Sequence, residues 1–317
     1  MSYTKSILLP ILSQRNAHAR DLNLLFDEPT HKYTVLSDPD SAYTSVTTWN
    51  HSHFPHFNAD EIIQNMMKGK NWNAQNKYWG LSSEQIKKQW ADNAAAVSGS
   101  GTDMHYEIEC FMNQDLINEE DNQPVAYTQS DLLDMYLQEE QSAKALEQSA
   151  KALEQSANAL EKAQTPIDTL EWKFFLKYLE DLPDLKPYRT EWTIYDEELK
   201  IAGSIDMVYE NPDGTLAIYD WKRVKEIAKR NNFNKRAVTD CIKHLPDTNF
   251  WHYSLQLNTY KAILEAKYGK KVTSLYLVRL HPDNPKKTYE LIQCADLSNE
   301  IADLFALRRE QIKAEKN

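Results

Sequence analysis

Two runs of β-branched, aromatic and apolar residues, Ile201 to Tyr209 and Thr215 to Trp221, flank the tetrapeptide Asn211-Pro212-Asp213-Gly214. Proline presets φ at the second turn position, and glycine accepts the positive φ that a turn exit needs. The two runs are therefore expected to fold back on each other as an antiparallel hairpin. Side chains alternate faces along a strand. Asp220 and Lys222 then leave one face and Trp221 the other, with a further acid, Asp206, in the preceding strand. Taken alone, Asp-x-Lys at a strand end is an ion pair and diagnoses nothing.

The flanking sequence supplies a setting for the hairpin. Helix-type apolar spacing marks Asp60 to Lys68, Ser83 to Ala96, Thr102 to Gln114 and Pro166 to Leu179. Strand patterns mark Lys32 to Leu36, Tyr188 to Tyr195, Val272 to Leu280 and Lys287 to Cys294. A long helix is expected from Phe250 to Tyr268, with Gly269 as its left-handed stop, and a last one from Leu297 to Ala314. Helices precede a hairpin-rich sheet, a helix crosses over, and the sheet resumes. This predicts an α/β fold, a central mixed β-sheet flanked by helices. The domain reading is a mainly helical N-terminal region over 1–97, a core over 98–294, and a C-terminal helix over 295–317.

The core is interrupted over 138–164 by a helical heptad-repeat insert, QSAKALE-QSAKALE-QSANALE from Gln141 to Glu161. Ala143, Leu146, Ala150, Leu153, Ala157 and Leu160 form a thin seam of coiled-coil type. So little apolar bulk makes the helix marginal by itself, and the insert reads as a protruding arm, with dimerisation and oligomeric state left open.

Composition excludes several classes. No apolar run approaches the about 20 residues that span a bilayer, and Ile7 to Leu12 lacks the pattern of a secretion signal. Cys110, Cys241 and Cys294 are scattered and form no CxxC pair, so neither a zinc knuckle nor a disulfide framework is expected. An intracellular setting, cytoplasm or nucleus, fits, with no membrane partner. The net charge of −11 argues against indiscriminate coating by nucleic acid. Yet Trp221 to Lys243 carries eight bases against two acids. Arg223, Lys225, Lys229, Arg230, Lys235 and Arg236 are its candidate phosphate contacts, placed directly after Asp-x-Lys. His51, His53 and His56 lack carboxylates at matching spacing and read as a loop.

Four features fall in a fixed order. Ser98-Gly99-Ser100-Gly101-Thr102 is expected to open a helix in which His105 and Glu109 share a face. Glu191 lies in the strand before the hairpin, Asp206 and Asp220-x-Lys222 lie within it, and Gln256 and Tyr260 share a face of the later helix. The order His, Glu, Asp, Asp-x-Lys, Gln-x-x-x-Tyr resembles the PD-(D/E)XK nuclease superfamily, whose core is restriction-endonuclease-like. More narrowly it resembles the RecB-type branch, which includes mitochondrial genome-maintenance exonucleases. The likeness covers Ser98 to Leu280 outside the insert. Tyr43 to Thr48 and Phe54-Pro55 are also similar to the lead-in of viral and phage members.

The resemblance implies a metal-dependent deoxyribonuclease, acting as an exonuclease on DNA single strands or duplex ends. It implies Mg²⁺ or Mn²⁺ held by Asp206, Asp220, His105 and the backbone carbonyl of Trp221. Glu191 would bind through water or orient a carboxylate, and Glu109 would orient His105. Lys222 would stabilise the phosphate, and Gln256 and Tyr260 would shape the site. The proline that precedes the first acid in the superfamily is replaced here by Ile205. Three cysteines cannot supply a four-cysteine iron–sulfur cluster, so none is expected. The chain has no GxxxxGK[ST] motor motif, so a helicase or recombination partner would act in trans. Two alternatives remain: an RNA endonuclease of the cap-snatching kind, and a catalytically inactive nucleic-acid-binding subunit.

Overall fold

The computed structural model describes residues 10–27, 29–114, 127–153, 167–231 and 233–315. Its N-terminal part holds helices α1 (Ile11–Arg15), α2 (Val46–His51) and α3 (Ala59–Lys68) and strands β1 (Leu24–Asp27), β2 (Lys32–Val35) and β3 (Thr44–Ser45). Next come α4 (Ser83–Met112), α5 (Gln129–Leu153) and α6 (Leu170–Asp181), then β4 (Lys186–Asp196), β5 (Ile201–Glu210) and β6 (Leu216–Lys222). Helix α7 (Asn249–Lys267), strands β7 (Val272–Arg279) and β8 (Glu290–Gln293), and helix α8 (Ser298–Glu315) complete the chain.

The hairpin β5–β6 forms as its turn demands. Gly214 takes φ +77°, its N–H donates to Asn211 O, and the ladder runs from Glu210↔Leu216 to Met207↔Tyr219. Strand β4 pairs antiparallel along β5, β3 pairs parallel with the start of β5, and β6 continues to β7 and β8. The β6–β7 pair is parallel, and α7 is the crossover between them. Gly269, with φ +61°, follows α7 as its left-handed stop. The six-stranded mixed sheet is covered on both faces. Apolar residues of α2, α7 and α8 pack with Ile205, Ile218 and Leu277 on one side, and those of α4, α5 and α6 pack with Met207, Tyr219 and Trp221 on the other.

Three expectations change. The N-terminal region, expected to be mainly helical with a strand at Lys32 to Leu36, holds that strand as β2 and adds β1, which pairs with it, and β3, which joins the main sheet. Secondly, no helix begins at Thr102. Helix α4 is continuous for 30 residues through Gly99 and Gly101, so a boundary at residue 97 falls inside it. Its start is fixed far upstream by a capping box in which Ser82 and Gln85 satisfy each other's backbone N–H. Three alanines, Ala94 to Ala96, then carry the helix into the glycines, each of which costs only about 1 kcal/mol. Thr102 does not cap; its hydroxyl donates back to Ser98 O. Thirdly, α5 already begins at Gln129 and runs into the repeats, whose residues from 154 onward lie outside the described residues.

The N-terminal segment is fastened to β4 beside the candidate site. Arg189, 5 % exposed, is paired with Asp21 at 2.8 Å, and Asp21 also accepts the indole N–H of Trp192 at 3.0 Å. Removing one partner of such a pair strands a buried charge. Asp21→Ala is expected to cost about 3 kcal/mol of stability, read from the urea midpoint. A midpoint equal to wild type would show that Arg189 reaches water.

Candidate active site

The two halves of the hairpin separate at its open end. Met207↔Tyr219 is the last rung between β5 and β6, and the next opposed positions are Asp206 and Asp220. Beyond this fork β6 is paired only with β7, through Asp220↔Leu277, Trp221↔Val278 and Lys222↔Arg279. The Trp221 N–H donates to Asp206 Oδ2 at 3.0 Å, so a side chain of one prong ties the other. Alternation places Trp221 against Phe175 and Tyr178, while Asp220 and Lys222 meet on the opposite face with 2.5 Å between Lys222 Nζ and Asp220 Oδ2.

Two further groups close on the fork. Helix α4 lays His105 over it: Nε2 is 3.0 Å from Trp221 O and Nδ1 is 3.6 Å from Asp206 Oδ2. A carbonyl only accepts, so Nε2 carries the proton here. From β4, the rungs Thr190↔Met207 and Trp192↔Ile205 place Glu191 across from Asp206. Glu191 adopts φ +42°, a left-handed conformation rare for a residue inside a strand. Its carboxylate accepts the Ser204 hydroxyl at 2.8 Å. One turn beyond His105 on α4, Glu109 adds its charge to the field at Glu191. Asn113 then joins α4 to β4 through Thr190 Oγ1 at 2.7 Å.

The electrostatics are those of crowded acids out of water. Burial, then the charge of Asp206, push the Glu191 carboxyl up to about 8. The same two causes push Asp220 up to about 7, against the pull of Lys222. Burial works against the charge on Lys222, but Asp220 and Asp206 prevail and raise it above the ordinary lysine range. Lys222 is therefore a fixed cation. His105, Glu191 and Asp206 each offer a ligand atom, all within 4.8 Å of one another. Asp220 Oδ2 is buried, and its close contact with Lys222 lacks the direction of a hydrogen bond. One imidazole, several carboxylate oxygens and a carbonyl oxygen fit a hard or borderline divalent ion.

A family model of the PD-(D/E)XK nuclease superfamily matches residues 77–317. The chain belongs to this superfamily. No curated protein matches it. Nucleases of this superfamily use divalent metals, in keeping with the ligand cluster at the fork. No helix among the described residues is long and apolar enough to cross a membrane.

The PD-(D/E)XK fork receives its second wall from α7. Gln256 Nε2 donates to the Tyr260 hydroxyl at 3.2 Å. Burial, eased by Gln256 and reinforced by Asp206 and Asp220, holds that hydroxyl well above the usual tyrosine range, so it remains a neutral donor. Gly203 lets this ring approach: a Cβ there would lie 2.8 Å from Tyr260 Cε1 and 3.1 Å from Val46 Cβ. Gly203→Ala is expected to cost about 1–3 kcal/mol and to displace the Tyr260 hydroxyl, lowering metal-dependent cleavage with stability. Wild-type values of both urea midpoint and rate would refute that packing.

Sequence reasoning missed Tyr253. Lys222 Nζ lies 4.7 Å from the centre of its ring, a cation–π contact that fixes the ammonium. The signal was present, since Tyr253, Gln256 and Tyr260 share one helical face at i, i+3 and i+7. The histidine trio also divides. His51 ends α2 with its ring 5.4 Å from that of His252, His53 is buried against Thr239, and His56 is exposed in the following loop. The expected basic contacts divide likewise. Arg223 is taken up by Glu171 at 2.7 Å and Lys225 by Asp283 at 3.0 Å, whereas Lys229, Arg230, Lys235 and Arg236 are exposed and make no ion pair among the described residues.

Proposed function

We propose that the chain is a metal-dependent deoxyribonuclease of the RecB-type branch, an exonuclease acting on DNA single strands or duplex ends. The observation that carries this is the fork itself, where Asp206, Asp220, Glu191, Lys222 and His105 converge from four elements. His105, Asp206, Asp220, Glu191 and the Trp221 carbonyl would hold Mg²⁺ or Mn²⁺, which supplies charge neutralisation and an activated water for phosphodiester hydrolysis. Lys222, kept cationic and steadied on Tyr253, stabilises charge developing on the phosphate. Tyr260, a neutral donor bonded to Gln256, orients the strand. The Gln-x-x-x-Tyr face of α7 favours DNA over an RNA endonuclease, and a complete set of acids and lysine favours catalysis over mere binding. Any strand-separating helicase or recombination partner is supplied in trans.

The test is degradation of fluorescent oligonucleotides with Mg²⁺, Mn²⁺ or EDTA. Linear DNA labelled at either end, circular single strands and RNA are compared. Loss of linear DNA alone, abolished by EDTA, is expected. Equal cleavage of circles would refute the exonuclease mode, and cleavage of RNA alone would refute the deoxyribonuclease.

A further inference from the structure

The segment between Lys222 and α7 is long, strongly basic and built with care at its tip. Ile227 and Ala237 pack into the core at its two ends. Between them Asn231 acts as a clamp: its Oδ1 accepts the N–H groups of Phe233 and Lys235, each at 3.0 Å, and its Nδ2 donates to Lys235 O at 2.8 Å and Asp247 O at 3.2 Å. Asn234 takes φ +51°, which turns the backbone sharply. Asn249 and Trp251 of α7 bond to Glu226 O and Lys229 O and brace the base of the loop. The tip clamped in this way nevertheless holds the Phe233 ring 81 % exposed. Arg230, Lys235 and Arg236, exposed and without ion pairs among the described residues, lie within three positions of it in the chain. The loop leaves β6 directly after Lys222 and reaches α7 one turn before Tyr253, so both of its ends spring from elements that carry residues of the fork.

We infer that this loop is a preformed single-strand guide, in which Phe233 stacks on an unpaired base while Arg230 and Lys235 contact the adjoining phosphates. This rests on the nucleic-acid reading above and narrows it. A projecting aromatic must unstack a closed duplex before it can insert, at a cost of about a few kcal/mol per step, whereas every unpaired base has a free π face. A locally cationic rim on a chain of net charge −11 is complementary to the phosphate backbone of a nucleic acid.

The test uses Asp220→Asn protein, which should bind without cleaving, and fluorescein-labelled 20-mer DNA read by anisotropy. Adding Phe233→Ala should weaken binding of the single strand about tenfold and leave a blunt duplex unaffected. Phe233→Trp should retain affinity, and single-stranded DNA should quench the added indole's emission relative to the protein's own eight tryptophans. Arg230→Ala and Lys235→Ala should each make the logarithm of affinity less steep in the logarithm of salt, by about 0.7. Single-strand affinity of Phe233→Ala within twofold of its parent, equal losses on both DNAs, or no added quenching in the Phe233→Trp protein would each overturn the guide. The catalytic reading is scored separately. Metal-dependent hydrolysis of bis(p-nitrophenyl) phosphate, too small to reach the loop, should be the same in the wild-type and Phe233→Ala proteins. It can therefore stand while the guide falls, or fail while stacking is observed.

Discussion

Asp220→Asn and Lys222→Ala proteins should fold and bind DNA but cleave it at least several hundred times more slowly than wild type. Asp220 is 2 % exposed, opposes Asp206 across the fork, and touches Lys222. The amide loses the negative charge that would hold a divalent ion, and the alanine loses the cation that would face the phosphate. Either change removes at least ~3 kcal/mol of transition-state stabilisation. Stability should move the other way in one of them. A buried carboxylate driven to about 7 is a destabilising charge above that pH, so Asp220→Asn should unfold at higher temperature than metal-free wild type at pH 8. Lys222→Ala should unfold lower, because it leaves Asp220 beside Asp206 with no cation. Cleavage by either folded variant within a few-fold of wild type would exclude the fork as the reaction centre.

The second large effect is on pH. The Asp220 and Glu191 carboxyls titrate as one cluster between about 7 and 8, far above exposed acids. Their pKa values are raised in the folded chain, so between about 4 and 8 the folded state binds more protons than the unfolded one. Stability of the metal-free protein therefore falls as pH rises through this window. Metal binding has the opposite sign, because a protonated carboxyl is no ligand. Affinity for Mn²⁺ should rise on the order of a hundredfold from pH 6 to pH 8 and level off above it. Calorimetric titrations in buffers of different ionisation enthalpy should show protons released near pH 7. Affinity independent of pH, with no proton release, would mean that neither carboxyl holds the ion.

The parts of this site that the sequence discloses are those decided within a few residues. The turn Asn211 to Gly214, the strands beside it and the shared face of Asp220 and Lys222 follow from local backbone preference and alternation. The fork does not. It depends on β6 leaving β5 after Tyr219 to pair onward with β7, whose partner residues lie more than fifty positions away. The left-handed backbone of Glu191 is equally silent, since glutamate has no preference for it and tertiary contacts impose it. At Ser98 to Thr102 a local signal misleads. Two glycines read as a flexible lead, but the capping box at Ser82 and the alanines before them carry the helix through. The basic stretch discloses its charge but not its disposal: Arg223 is neutralised by Glu171, an acid from another helix.

The course of α4 has a mechanical consequence for His105. A Cβ at Gly99 or Gly101 would meet nothing within 4 Å, and all residues from Ala91 to Ser100 are exposed. Alanine at both positions would strengthen the helix by about 1 kcal/mol each without touching a neighbour. As built, the rod is most compliant one turn before the imidazole it carries. Its far end, from Met104 to Met112, is gripped by the core, so any bending imposed on the exposed length is absorbed at the glycines. His105 is thus mounted on the anchored side of a shock absorber.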